Sequence, residues 1–158
     1  MHSLFVRSAS FFLVLASATS FAPEASAEPR HHVFLEAGGS GVLDSVNYEL
    51  QPVRTVALRV GQGVAPLCWG DTCRPLPITP VGVAWIGGGG NHHYEVGASA
   101  TLAWTRDADA RFVSPLLGYR YQRPEGGLTV RVTATPLVRW NKPSDVLPWA
   151  GASVGYVF

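Results

Sequence analysis

The side chains with chemical potential in this 158-residue chain are few, and their spacing narrows what they can do. Four histidines fall in two runs, His31-His32 after Arg30 and His92-His93 in "NHHYE". Adjacent residues on an extended strand point to opposite faces, so each pair is a poor chelate. Two cysteines do not complete the four ligands of a structural zinc site. No metal and no other cofactor is expected. His93, Glu95 and Ser99 share one strand parity and have the residue types of a hydrolase. Ser99 lies six residues from His93, about 20 Å along one strand, so that histidine cannot take its proton directly. No catalytic residue is assigned. "GSG" and "GGGG" precede no helical pattern and lack a phosphate-loop lysine, so both read as turns.

Cys68 and Cys73 enclose "WGDT", with Gly70 and Asp71 supplying turn chemistry. Arg7, the apolar run Ala9–Ala18 and the small-residue pattern Ala25-Ser26-Ala27 have the order of a secretory signal, with cleavage before Glu28. The apolar run is too short for a membrane-spanning helix, which needs roughly 20 residues. Residues 1–27 are therefore expected to be removed, leaving residues 28–158 as one domain. Export leads to an oxidising compartment, which makes a Cys68–Cys73 disulfide the expected state. The mature charge is near neutral and its arginines are dispersed, which argues against a nucleic-acid partner.

The elements that must position these groups are strands. "LTVRVTATPLV" (Leu128–Val138) places Leu128, Val130, Val132, Ala134, Pro136 and Val138 on one face. Thr129, Arg131, Thr133, Thr135 and Leu137 lie on the other. "YEVGASATLAW" (Tyr94–Trp104) repeats the alternation, and weaker versions bring the total to eight candidate strands. "GGGGN" and "RPEGG" are tight turns, whereas "APLCWGDTCRPLP", "TRDADAR" and "RWNKPSDVLP" read as longer connections. The connection near Gly39–Asp44 is a short one on the side of the long loops. The expected fold is all-β: a closed antiparallel up-and-down transmembrane barrel of eight strands.

The polar parity carries Glu36, Glu49, Arg59, Glu95, Arg120 and Arg131 among many Gly and Ser. Balanced charge and small residues suit a narrow, side-chain-filled lumen. A water-exposed strand face has no steric need for those glycines. The six charges are expected to pair across strands, with Arg131 facing a carboxylate. Tyr94 and Trp104 stand ten residues apart on the apolar parity, a rise of about 25 Å for a tilted strand, which matches the apolar band of membrane barrels. Tyr94, Tyr119, Tyr121 and Tyr156 are expected in one aromatic girdle and Trp104 and Trp140 in the other.

The ending "WAGASVGYVF" resembles the C-terminal strand of bacterial outer-membrane barrels, with the match on Ala152, Val154, Tyr156 and Phe158. Together with "GYRYQRPEGGLTVRV" it is similar to small outer-membrane β-barrels of uncharacterised function. The resemblance implies an outer-membrane location in a Gram-negative cell, the lipid bilayer as surroundings and recognition of the last strand by the barrel assembly machinery. It implies no activity. The leading expectation is a non-enzymatic barrel with a structural or interaction role through its outer loops and no wide pore. The alternatives are a soluble exported ligand-binding barrel with an apolar interior and a lipid A or phospholipid hydrolase of the outer membrane.

Overall fold

The computed structural model describes residues 30–69, 72–104 and 111–158, and at 67–69 and 72–74 the backbone alone. The signal segment expected over residues 1–27 and residues 105–110 of "TRDADAR" lie outside the described residues.

Ten strands follow one another: β1 Arg30–Gly38, β2 Asp44–Val53, β3 Val56–Trp69, β4 Thr72–Gly89, β5 His92–Ala103, β6 Phe112–Gln122, β7 Gly127–Ala134, β8 Leu137–Arg139, β9 Val146–Leu147 and β10 Ala150–Val157. Each of the first six pairs antiparallel with the next. The ring continues from β6 to β7 to β10, and β10 pairs with β1, so the sheet closes on itself. Closure removes the unpaired edges that a hydrocarbon surrounding could not satisfy. The barrel has eight staves, because β8 prolongs β7 along β6 and β9 is a short hairpin partner of β8.

The stave expected to run unbroken through Leu128–Val138 is interrupted. The β6–β7 ladder ends at Leu117↔Ala134 and resumes on β8 at Val113↔Val138, which puts Pro115 opposite Pro136. Neither residue has an N–H to donate, so the ladder lapses there.

"APLCWGDTCRPLP" was expected as a loop, and its proline content was the reason. It is instead the tip of a long hairpin, with continuous register from Val56↔Trp85 to Trp69↔Thr72. β2 reaches β3 only as far as Val64, and β5 reaches β4 only as far as Ile78. Beyond those points no strand among the described residues pairs with the ribbon, and Pro66 and Pro75 stand on its edges. Proline is tolerated on an edge and blocks pairing with another chain.

The alternation of side chains decides what each face meets. Along β2, Ser45, Asn47, Glu49 and Gln51 are buried while Val46 and Tyr48 are exposed. β10 repeats this, with Ser153 and Val157 buried and Val154 and Tyr156 exposed. The polar parity therefore fills the lumen and the apolar parity forms the outer wall. Apolar burial within the lumen is confined to patches such as Ala57, Ala84, Ile86 and Leu116.

One end of the barrel carries the first and last strand ends and the turns at 54–55, 90–91 and 123–126. The opposite end carries the longer connections and the turn Gly39–Gly41, a single 3-10 turn whose residues are all buried. This turn is short because it folds inward across the mouth instead of outward. Ser40 Oγ donates to Ser99 Oγ at 2.8 Å, and Thr101 Oγ1 donates to the Ser40 carbonyl at 2.7 Å. From the other side Trp149 Nε1 donates to the Val42 carbonyl at 3.1 Å. Val42 stands at φ +66°, a conformation that β-branched residues rarely adopt.

The seat for the turn is made by Gly151, where a Cβ would stand 2.5 Å from the Gly39 nitrogen and 2.6 Å from its Cα. Gly151→Val is expected to destabilise the barrel by about 1–3 kcal/mol, the usual cost of overpacking. Ala152→Val, on the exposed face next to it, is expected to change stability by less than about 0.5 kcal/mol. Urea unfolding in detergent compares the two.

Candidate functional site

The waist of the lumen holds one charge cluster, and the register explains how it assembles. Glu49 on β2 lies directly opposite Arg59 on β3, and Arg120 on β6 lies directly opposite Arg131 on β7. Two guanidiniums side by side repel unless anions stand between them. Glu49 and Glu95 are those anions. Glu49 accepts from Arg59 Nε at 2.6 Å, from Arg120 Nη2 at 2.8 Å and from Arg131 Nη1 at 3.0 Å. Glu95, on β5, accepts from Arg59 Nη2 at 2.5 Å and is ion-paired with Arg120 Nη2, with Arg131 Nη1 3.7 Å away. Both carboxylates are fully buried. Arg59 bridges them from one wall, and Arg120 and Arg131 bridge them from the other.

Polar neighbours complete the set. Gln51 Nε2 donates to Glu49 Oε1 at 3.1 Å, and Arg120 Nη1 donates to Gln122 Oε1 at 2.8 Å. Arg131 Nε donates to Ser153 Oγ at 3.0 Å, and its guanidinium lies 4.0 Å from the centre of the Phe34 ring. His32 Nδ1 is 3.6 Å from Glu49 Oε1. Charge-assisted bonds of this kind contribute about 1.5–3 kcal/mol each. Removing one member of a buried ionic set leaves the others uncompensated and costs more.

Of the six charges singled out from the sequence, the structure brings five into this cluster and sets Glu36 apart. Glu36 is buried towards the opposite mouth, beneath the inward turn, where a Cβ on Gly39 would meet its Oε1 at 2.6 Å. Gln51, Gln122 and Ser153 join the cluster without a sequence signal of their own, and so does His32, expected only as a poor chelating neighbour of His31. All four lie on the lumen parity, so their facing was readable, but membership depends on register across the barrel.

The aromatic residues Tyr94, Tyr119, Tyr121 and Tyr156 face outward near the end that carries the termini. Two of the outward tyrosines of that end are bonded to outward histidines, His92 Nδ1 to Tyr119 at 2.5 Å and His31 Nδ1 to Tyr48 at 2.5 Å. Trp104 and Trp140 are exposed near the opposite end. Ala152, Val154, Tyr156 and Phe158 are all exposed on the last stave, and Phe158 exchanges both backbone hydrogen bonds with His31. Cys68 lies directly opposite Cys73 in the β3–β4 register, while their side chains lie outside the described residues.

Among the described residues no nucleophile is paired with a base. Ser99 Oγ is bonded to Ser40, and Glu95 is held by arginines. No group of three His, Cys, Asp or Glu side chains placed to hold a metal occurs among the described residues. The void beside Phe34, Glu36, Asn47 and Arg59 measures about 10 Å³, about the volume open to one water molecule.

Glu49→Ala is expected to cost at least about 3–5 kcal/mol, since three guanidiniums lose a shared partner. Arg123→Ala, on an exposed turn, is expected to cost less than about 0.5 kcal/mol. Urea unfolding in detergent measures both, and equal small losses would show that the cluster is hydrated rather than buried.

No protein-family model matches the chain, and no curated protein sequence does. Among solved structures it is similar to the N-terminal β-barrel domain of OprF from Pseudomonas aeruginosa, with a TM-score of 0.53 and 13% identity over 82% of this chain and 96% of that one. At that identity the likeness speaks for the fold alone: the described residues form a closed eight-stranded antiparallel barrel, similar in fold to that domain.

Proposed function

We propose that the chain is a bacterial outer-membrane β-barrel protein with a structural or interaction role through the loops of one end. The observation that carries this reading is the inverted wall. Leu35, Val46, Leu58, Val83, Val96, Leu117, Val132 and Val154 all stand exposed on the outside, while the charges lie within. A water-soluble barrel with an apolar interior, the first alternative, needs the opposite phase. An exposed apolar surface that runs around the whole molecule marks a lipid or protein contact, and the OprF-like fold supports lipid.

In this reading the end with the termini and tight turns faces the periplasm, as is usual for membrane barrels, and the long β3–β4 hairpin projects outside. A signal over residues 1–27 would deliver the chain, and the last stave ending at Phe158 would be what the assembly machinery recognises. The packed waist and the inward turn argue against a wide pore. The second alternative, a lipid-directed hydrolase, lacks a paired nucleophile and base among the described residues.

The test is a single outward charge. Val83→Arg, which faces Leu58 and Ala98 across the middle of the wall, is expected to cost about 2–4 kcal/mol in liposomes if that wall meets lipid. It is expected to cost less than about 0.5 kcal/mol if the wall meets water. Recovery of the expressed protein in the soluble periplasmic fraction would overturn the reading independently of stability.

The register also supports a Cys68–Cys73 disulfide, since directly opposed residues in an antiparallel pair stand within about 4.5–5.5 Å. Alkylation of the denatured, unreduced protein is expected to find no free thiol. Labelling of both cysteines would refute the bridge.

A further inference from the structure

The end of the barrel that carries the termini opens into a cavity of about 290 Å³, and its lining is more specific than a barrel mouth requires. Arg30, Arg54 and His93 line it, the buried amides of Gln51 and Gln122 also line it, and the glycine-rich end of β4 with Gly90 forms part of its rim. No carboxylate is among the lining residues. We propose that this mouth is a binding site for a phosphate group.

Three observations carry the proposal. The first is unspent charge. Arg54 sits on an exposed turn with no ion pair among the described residues, and His93 has no bonded partner among them. Arg30 is positioned from the far side by a bond from its Nη2 to the Pro124 carbonyl at 2.5 Å.

The second is the field from below. Gln51 and Gln122 are bonded to Glu49 and Arg120, so the cavity rests on the charge cluster. That cluster holds three guanidiniums and two carboxylates. The balancing Glu36 lies towards the other mouth, so the excess at this end is positive. A cleft lined by one sign of charge with poorly polarisable walls concentrates counter-ions.

The third is the donor set. Two arginines and a histidine around one small cavity suit a doubly charged phosphate group better than a single carboxylate, since arginine's fork matches phosphate oxygens.

The proposal does not depend on which membrane face this mouth meets. The phosphate could be free or carried on a phospholipid headgroup, and the experiment separates these sources. Inorganic phosphate is titrated calorimetrically into the detergent-solubilised protein, with acetate as the comparison anion. Phosphate is expected to saturate with a Kd of about 1 mM or tighter and acetate to bind more weakly. Arg54→Gln is expected to weaken phosphate binding about tenfold, the effect of losing one charge-assisted bond. Arg123→Gln is expected to leave it unchanged. Unaltered circular dichroism and urea midpoints would show that these variants fold, as expected for exposed turn positions.

A second titration uses nanodiscs of phosphatidylglycerol. Loss of the phosphate signal there means that a headgroup occupies the site, and retention means that it takes a soluble phosphate. Either result upholds a phosphate site. Failure to saturate below about 10 mM phosphate, equal binding of acetate, or wild-type affinity in Arg54→Gln would overturn it.

Discussion

A carboxylate gripped by three guanidiniums inside a closed sheet is the interaction on which the rest of this structure depends. Glu49 touches arginines from β3, β6 and β7, and Glu95 adds β5 through the same cations. Each ion withdrawn from water loses several kcal/mol of hydration, which only well-placed partners offset. The cluster therefore tolerates one phase per strand. A slip of one residue on any of these staves would turn its charge to the outer wall and its valines to the lumen. Where that wall meets lipid, the error is penalised on both faces, so the ion pairs and the apolar coat enforce the same register.

Such a cluster needs space that eight staves barely provide, and the small residues of the lumen parity supply it. A Cβ on Gly61 would overlap the Asn47 side chain, and one on Gly155 would stand 2.4 Å from the Phe34 Cβ. The Phe34 ring, in turn, stacks under Arg131. Glycine on this face is thus a packing decision made by the long side chains opposite. The same logic explains the mouth near Glu36, where glycines at 39 and 151 let a backbone turn occupy the lumen in place of side chains.

The architecture was legible in the sequence because two periodicities agree: apolar residues and charges each repeat every second position, in opposite phase. Leu128–Ala134 and Tyr94–Ala103 show it without ambiguity, and the inward facing of all six charges followed from parity alone. Which of them meet did not follow. Glu36 has the same parity as Glu49, yet its level along the barrel places it under the turn, and level is set by strand stagger that no local pattern encodes. The β3–β4 hairpin was misjudged because proline is read as a strand breaker. Pro66 and Pro75 face each other on a ribbon whose edges pair with no strand among the described residues, where the missing N–H costs nothing. The inward turn was visible only as an anomaly of length, since a short connection on the long-loop side has no local signature of its direction.

The two mouths differ in kind, and that difference bears on what the barrel can do. One is filled by backbone, with Ser40 and Val42 tied to opposite walls by Thr101, Ser99 and Trp149. The other is open and cationic, and its glutamine floor is bonded to the ionic waist. A solute entering from the open side meets arginines that are already neutralised by carboxylates, and behind them a turn held by hydrogen bonds. Passage would require both barriers to rearrange. Binding at the open mouth requires neither, because Arg54 and His93 are free of the network beneath them. In the reading proposed above, recognition at the ends of the fold is favoured over transport through its centre, with the β3–β4 hairpin on one side and a small charged cavity on the other.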